Sequence, residues 1–525
     1  MRLATAEQVR EMDRRAADHG VPTLELMERA GLALREAALR LLRQRGQATR
    51  PRVLILCGKG NNGGDGLALA RLLLAEGVSA RVELACASDE LKGDALSSYR
   101  RAVEAGVRVR PLSTDPLAME GYDLCVDALL GTGLSSAPRG ATAQWIARLN
   151  DARRANGGRT QVLSVDLPSG LDSDTGQAPG VCVEADETVT FAAPKLGLAL
   201  FPGRRLAGRV TVADIGVPAP LEQELAAAGR LTTPDDVLSC LPSPDAASHK
   251  GSRGRVLVVA GSEGFTGAAA LASQSCLRVG AGLVVLGCPV SLNDILEVKV
   301  TEVITAPLPE GSGRCLCPDA CGPILEELDK AQALVIGPGL SLAPQVGELL
   351  ECLLPRVKVP TLLDADGLTH LSQRHFALPP DCVLTPHPGE MARLLGTTTQ
   401  DVTADRVGAA REAARRYGRV VLLKGPDTLV VNPEGALWVN SSGNPGLASA
   451  GTGDVLSGTI GGLLGRGLAP LGAAYCGAYL HGLAADLVAE DLGEEGMLAS
   501  DVASALPRAL AVLRRGGTKP LWPAL

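Results

Sequence analysis

Short aliphatic runs that end on an aspartate or a glycine-rich turn recur along this chain. Val53 to Cys57 runs into Gly58-Lys59-Gly60-Asn61-Asn62-Gly63-Gly64-Asp65-Gly66, and a helical run from Leu67 to Ala75 follows. Leu124-Cys125-Val126 meets Asp127 and then Gly131-Thr132-Gly133. Val162-Leu163-Ser164-Val165 meets Asp166, followed by Leu167-Pro168-Ser169-Gly170. Strand, polar turn and helix in that order describe α/β units with a parallel sheet. The turns then fall at the carboxyl ends of the strands, where open α/β sheets bind ligands.

The second half repeats this logic with different motifs, so no tandem duplication is evident. Ala333-Leu334-Val335-Ile336 leads to Gly337-Pro338-Gly339-Leu340, and Leu362-Leu363 leads to Asp364-Ala365-Asp366-Gly367. Further turns are Leu384-Thr385-Pro386-His387-Pro388-Gly389-Glu390 and Leu422-Leu423-Lys424-Gly425-Pro426-Asp427-Thr428. Between the halves, residues 218–248 are rich in Pro, Ala and acidic residues with no strong strand, and a fresh strand starts at Arg255. A chain of 525 residues exceeds one ordinary core. The expected division is a domain over 1–217, a linker over 218–248 and a second domain over 249–525.

A formal charge of −7 supplies no basic field for nucleic acid, so local donors must decide anion binding. The thirteen cysteines lie mostly in apolar segments, as expected of reduced thiols in a cytosolic protein. Cys315, Cys317 and Cys321 form C-x-C-x3-C with no fourth ligand nearby and read as loop thiols rather than a metal site. The N-terminal MRLATAEQVREMDRR is charged and helical, with no secretory signal. The apolar region near Leu468 to Val488 is broken by Gly, Pro, His481 and Asp486, so it reads as a buried helix rather than a membrane span.

Leu456, Ile460, Leu463 and Leu464 fall at helical spacing, which puts Gly451-Thr452-Gly453-Asp454 at a helix N-terminus. Bare amides and the positive dipole end there suit a phosphate, and Asp454 beside them can act as a base. The GKGNNGGDG loop is neither a Walker loop nor G-x-G-x-x-G. A plain glycine turn would not need Asn61, Asn62 and Asp65. Asp127 and Asp166 end separate strands and can face one crevice. Two carboxylates ~4 Å apart repel by ~4 kcal/mol at an effective dielectric of 20, so one protonates or a cation lies between them. A K⁺-like site from Asn62, Asp127 and Ser169 leaves Asp166 free for proton transfer. Taken singly, His387 reads as a loop residue, Asp364 and Asp366 as strand-end caps and Lys424 as a surface charge. Gathered at strand ends in one α/β half, they read as a site.

NNGGDG, VDALLGTGL, SVDLPSGLD and APKLG resemble the NAD(P)H-hydrate epimerase family, the YjeF N-terminal domain, over most of residues 1–217. The resemblance implies a Rossmann-like three-layer αβα domain that interconverts the R and S forms of NADHX and NADPHX. It implies that Asn61, Asn62, Gly63, Gly64 and Asp65, with Gly131, Thr132, Gly133, Leu134, Ser135, Ser136 and Ala137, hold the hydrated dinucleotide. It places K⁺ on Asn62, Asp127 and Ser169, and Asp166 against the reacting ring.

Residues 225–515, with HKGSRGRVLVVAGS, GPGL, LDADGL, LTPHPGEMARLL, KGPDT, AGTGDVLSG and YLHGLAAD, are similar to ADP-dependent NAD(P)H-hydrate dehydratases. These have the ribokinase-like αβα fold. Lys424, Gly425, Pro426, Asp427, Thr428 and Gly453 would then hold ADP, with Mg²⁺ expected alongside. Ala268, Gly339, His387 and Asp454 would hold the hydrated cofactor. In this reading Asp454 takes the C6 hydroxyl proton, the oxygen attacks the terminal phosphoryl of ADP, and elimination returns NAD(P)H, AMP and phosphate. The resemblance further implies a homo-oligomer, and no membrane or nucleic-acid partner is expected. The alternatives are a ribokinase-type small-molecule kinase with an accessory domain, and a non-enzymatic module like the mRNA-decapping scaffolds that resemble the first half.

Overall fold

The computed structural model describes residues 1–44, 51–111, 119–134, 136–155, 160–218, 221, 227–243, 247–518 and 521–522. The chain divides into two compact units, Arg2–Arg230 and Leu231–Leu521.

The first unit is built on a parallel 7-stranded sheet among the described residues. Its order is Val109–Pro111, Ala80–Leu84, Val53–Cys57, Leu124–Ala128, Gln161–Val165, Glu187–Phe191, Arg209–Ala213. Residues alternate between faces along a strand, so Val53, Ile55 and Cys57 point one way and Leu54 and Leu56 the other. Both faces are covered. Leu34 and Ala37 of helix Thr23–Gln44 and Leu67 and Leu73 of helix Asn61–Ala75 pack on the first. Trp145, Ile146 and Leu149 of helix Gly140–Ala155 pack on the second. This is the expected three-layer αβα sandwich. The order reverses at Val53–Cys57, whose neighbours are the next two long strands in sequence, so the crevice opens beside its carboxyl end.

One boundary differs from expectation. The helix starts at Asn61 rather than Leu67, so Asn61 to Asp65 form its first turn. The paired glycines, which look like loop residues, are there for proximity: a Cβ on Gly63 would lie 1.9 Å from the Gly58 carbonyl oxygen.

In the second unit parallel strands run in the order Ile304–Leu308, Leu283–Pro289, Arg255–Val259, Ala333–Ile336, Thr361–Leu363, Cys382–Leu384, Val420–Leu423. Leu429–Val431 and Leu437–Val439 extend the sheet antiparallel. The order reverses at Arg255–Val259. Helix Thr452–Gly465 lies buried on one face of this sheet. Its glycines let it come close: a Cβ on Gly461 would meet Val335 Cγ2 at 2.0 Å. Helix Pro470–Leu492 is buried along most of its length, as its interrupted apolar run indicated. Among the described residues no helix is long and apolar enough to cross a membrane.

The stretch 218–248, expected as a linker, carries regular structure. Gly229–Leu231 is a strand antiparallel to Arg2–Leu3, and Pro234–Cys240 is a helix. The Pro and Asp residues that look like linker composition are start signals. Thr233 Oγ1 accepts from Asp236 N at 3.2 Å, Asp236 Oδ2 accepts from Thr233 N at 2.9 Å, and Pro234 takes the first helical turn.

Candidate active sites

In the first unit, loops at the strand-order reversal enclose a cavity of about 480 Å³. Asn61, Asn62, Asp65, Gly131, Thr132, Gly133, Leu134 and Asp166 line it. Gly63 and Gly64 sit behind the wall, Gly64 close against Met27. Ser136 and Ala137 lie outside the lining, and Ser135 lies outside the described residues.

Asp166 directly follows the strand Gln161–Val165. Leu167 N donates to Val165 O, two residues back, at 2.7 Å, and Asp166 has φ +64°. The aspartate therefore stands at the tip of a γ-turn, a conformation costing ~1–3 kcal/mol for a non-glycine residue. Its Oδ1 accepts from Thr190 Oγ1 at 3.1 Å, from Phe191 N at 3.3 Å and from Lys195 Nζ. Lys195 is fully buried and also donates to Thr190 Oγ1 and the Phe191 carbonyl, each at 3.2 Å.

Two more carboxyls share the cavity. Burial raises the Asp13 pKa to about 6 against the pull of Lys195, with Asp166 adding to the rise. Burial, then Asp166 and Asp13, hold Asp65 well above the ordinary carboxyl range. Lys195 is thus the buried cation beside Asp166, and the carboxyls of Asp13 and Asp65 are both pushed upward by burial. Lys195 and Asp13 escaped the sequence reading. The lysine's signal was its place in the apolar run FAAPKLGLAL; Asp13 sits in the charged N-terminal helix, Ala6–Asp18.

Asp127 is completely buried, and its hydrogen bonds among the described residues come from neutral donors. Ser169 Oγ reaches Oδ1 at 2.5 Å; Ser169 N and Ser164 Oγ reach Oδ2 at 2.8 and 3.0 Å. Burial outweighs these bonds and raises its pKa. The Leu130 carbonyl joins Asn62 to Ser169: Asn62 Nδ2 donates to it at 2.8 Å and Ser169 Oγ at 3.3 Å. Asn62 Nδ2 also donates to Val165 O at 2.9 Å. The three residues named for a cation are therefore gathered.

The second unit joins its turns through a chain of contacts. A Cβ on Gly339 would stand 2.7 Å from Phe265 Cβ and 3.3 Å from Ala268 Cβ. Ser341 N donates to Asp366 Oδ2 at 2.9 Å. Between the two aspartates, Ala365 has φ +50°, another strained non-glycine residue in a site turn. Lys424 Nζ donates to Asp364 Oδ1 at 2.8 Å and lies 3.8 Å from Glu390. Ser457 Oγ donates to Asp364 Oδ2 at 2.6 Å, from the helix Thr452–Gly465 whose first turn holds Gly453 and Asp454. A Cβ on Gly453 would be 3.7 Å from Lys424 Nζ, so the ammonium lies beside the helix N-terminus.

Burial opposes the Lys424 charge, but Asp364, Glu390 and Asp454 outweigh it and raise the lysine pKa. Lys424 in turn overcomes burial at Asp364 and lowers its pKa. At Asp454 burial prevails, helped by Asp364, and lifts the pKa to about 7. His387 caps helix Pro388–Leu395: its Nδ1 accepts from Gly389 N at 3.0 Å and Glu390 N at 3.3 Å. Burial, then Lys424, lowers its pKa and favours the neutral ring, whose Nε2 lies 3.5 Å from Glu390 Oε1.

In the 424–428 loop, Gly425 and Pro426 are exposed and Thr428 Oγ1 donates to the Gly425 carbonyl at 3.1 Å. The Asp427 side chain is only 1 % exposed and faces Arg406, 3.9 Å away. Arg406 also donates to the Lys424 and Asp427 carbonyls. Asp427 therefore shapes the loop from beneath.

Residues 23–197 match the family model of the YjeF-related protein N-terminus, and residues 256–508 match that of NAD(P)H-hydrate dehydratase. The bifunctional NAD(P)H-hydrate repair enzyme Nnr of Moorella thermoacetica is 44% identical, covering 97% of each chain. That of Escherichia coli is 38% identical over 96% of this chain and 93% of its own. A solved ADP/ATP-dependent NAD(P)H-hydrate dehydratase from Bacillus subtilis is 30% identical over 55% of this chain and 100% of its own, with a TM-score of 0.48. Two family models in the expected order and relatives aligned nearly end to end lead to one conclusion: the chain belongs to the bifunctional NAD(P)H-hydrate repair enzymes.

Proposed function

We propose that the chain epimerises the R and S hydrates of NADH and NADPH in its first unit. In its second it dehydrates the S form with ADP. The observation that carries this reading is Asp454, a base with a pKa of about 7 at a helix N-terminus beside Lys424. Such a group is partly ionised at neutrality and basic enough to take a proton.

Asp454 removes the proton from the C6 hydroxyl, whose oxygen bonds to the terminal phosphorus of ADP as AMP departs. The Gly451–Gly453 amides and Lys424 stabilise charge on the transferring phosphoryl. Loss of that phosphate with the C5 proton restores the double bond of NAD(P)H. The exposed Gly425–Pro426 backbone and Thr428 border the nucleotide, with Asp427 and Arg406 supporting the loop. Ala268, Gly339 and His387 border the hydrated ring. No three His, Cys, Asp or Glu side chains converge as a metal cage among the described residues. Mg²⁺ would therefore be carried on the nucleotide phosphates, largely hydrated, and would neutralise their charge.

In the first unit Asp166 and Lys195 exchange the proton as the C6 hydroxyl leaves and returns on the other face. Asn62, Asp127, Ser169 and the Leu130 carbonyl fit a monovalent cation, because Asp127 is a buried carboxyl with only neutral donors among the described residues. K⁺ there would supply the missing counter-charge. The proposal extends to a cytoplasmic homo-oligomer with domain limits near 217 and 249.

The test incubates an R/S mixture of NADHX with the protein and follows NADH absorbance with ADP or ATP, in K⁺ or choline salts. Complete recovery with ADP in K⁺, and a stall at the S fraction in choline, are expected. A stall in both salts would overturn the epimerase assignment, and no recovery with either nucleotide the dehydratase.

A further inference from the structure

Of the three clustered cysteines, only Cys321 meets another cysteine. Cys315 Sγ is engaged by Gln345 Nε2 at 3.0 Å and by the Ser312 carbonyl at 3.4 Å. Cys321 opens helix Cys321–Leu328, and its Sγ lies 2.8 Å from Sγ of Cys352, near the end of helix Pro344–Leu353. That separation exceeds a disulfide bond, ~2.05 Å, by less than 1 Å, so closure needs little movement. Cys321 is buried, whereas Cys352 is partly open to solvent. With no third ligand beside them among the described residues, the pair is a dithiol rather than part of a metal site.

We propose that Cys321 and Cys352 form an oxidisable dithiol that hydroperoxides close into a disulfide bracing the second unit. The accessible Cys352 sulfur attacks the peroxide oxygen and becomes a sulfenic acid, as the O–O bond breaks and an alcohol or water leaves. Cys321 sulfur then displaces the sulfenic hydroxyl, which departs with the Cys321 proton as water. Two thiols lose two electrons, and one peroxide is reduced. Burial and the adjacent Cys352 raise the Cys321 pKa to about 11, with Arg356 opposing. Cys321 is thus protonated at neutrality and acts second. Cys352 rides on the helix that follows the Gly337–Leu340 turn, so the bond ties that turn's support to the helix Cys321–Leu328.

The experiment treats the full chain with hydrogen peroxide, alkylates the remaining thiols and maps unreduced peptides by mass spectrometry. A peptide pair joined through Cys321 and Cys352 is expected before any other thiol reacts. So is a rise in melting temperature that dithiothreitol reverses. Cys352→Ser should fold with the melting temperature of the reduced protein and show neither change. Cys352 reaching sulfinate while Cys321 stays alkylatable, or a peroxide-induced stabilisation that persists in Cys352→Ser, would overturn the proposal.

Discussion

Lys424 and Asp364, sixty residues apart in sequence, meet at 2.8 Å at the base of the second site. Lys424 is the cation set against Asp364, Glu390 and Asp454. Asp364 takes the contact and is held ionised, and the shortage of positive charge falls on Asp454, whose pKa climbs to about 7.

The dehydratase kcat/KM should therefore rise as pH increases through about 7, because only ionised Asp454 accepts the hydroxyl proton. Asp366 adds to the upward shift. Asp366→Asn should move the acid limb to lower pH, since the amide removes a like charge. Initial rates with S-NADHX across pH check both statements; an unmoved limb in the variant would count against this assignment of the limb. Asp454→Asn should show no dehydration at any pH while epimerisation continues.

Lys195→Met strips the first cavity of its buried cation and leaves Asp166 unpaired. Breaking one side of a buried pair costs ~3–5 kcal/mol, so the variant should unfold at lower denaturant. Exchange between R- and S-NADHX, followed by chromatography, should cease in this variant and in Asp166→Asn. Dehydration of the S form by the second unit should survive in both.

Asp13 has a folded pKa of about 6 against an ordinary 3.8. Its carboxylate therefore costs stability: nothing below pH 3.8, where folded and unfolded forms are both protonated, and the full amount above pH 6. Asp13→Asn should melt above the wild type at pH higher than 6 and level with it below 3.8. Melting curves at the two ends of that window decide the matter.

Gly461→Ala places a methyl 2.0 Å from Val335 Cγ2. Overpacking of this kind costs ~1–3 kcal/mol and should lower the urea midpoint of the second unit. Gly322→Ala, where nothing lies within 4 Å, is the control and should leave the midpoint unchanged or raise it.

Much of the architecture was legible because its signals are local. The aliphatic runs and the turns after them mark strand ends within a residue or two, as at Val53–Cys57 and Ala333–Ile336. Helix Thr452–Gly465 was marked by the spacing of its leucines. The 218–248 stretch misled because Pro, Asp and Thr serve both linkers and helix caps.

By itself the sequence determined the two α/β halves, their strand-end turns and the aspartates on them, since each depends on residues within a few positions. Only the tertiary structure decided the charge relationships. Lys195 with Asp166, Asp13 beside Asp65, Lys424 with Asp364 and Cys321 with Cys352 join distant segments. A carboxyl's pKa is set by burial and by which single lysine it shares, and neither exists until the sheets have brought those segments together.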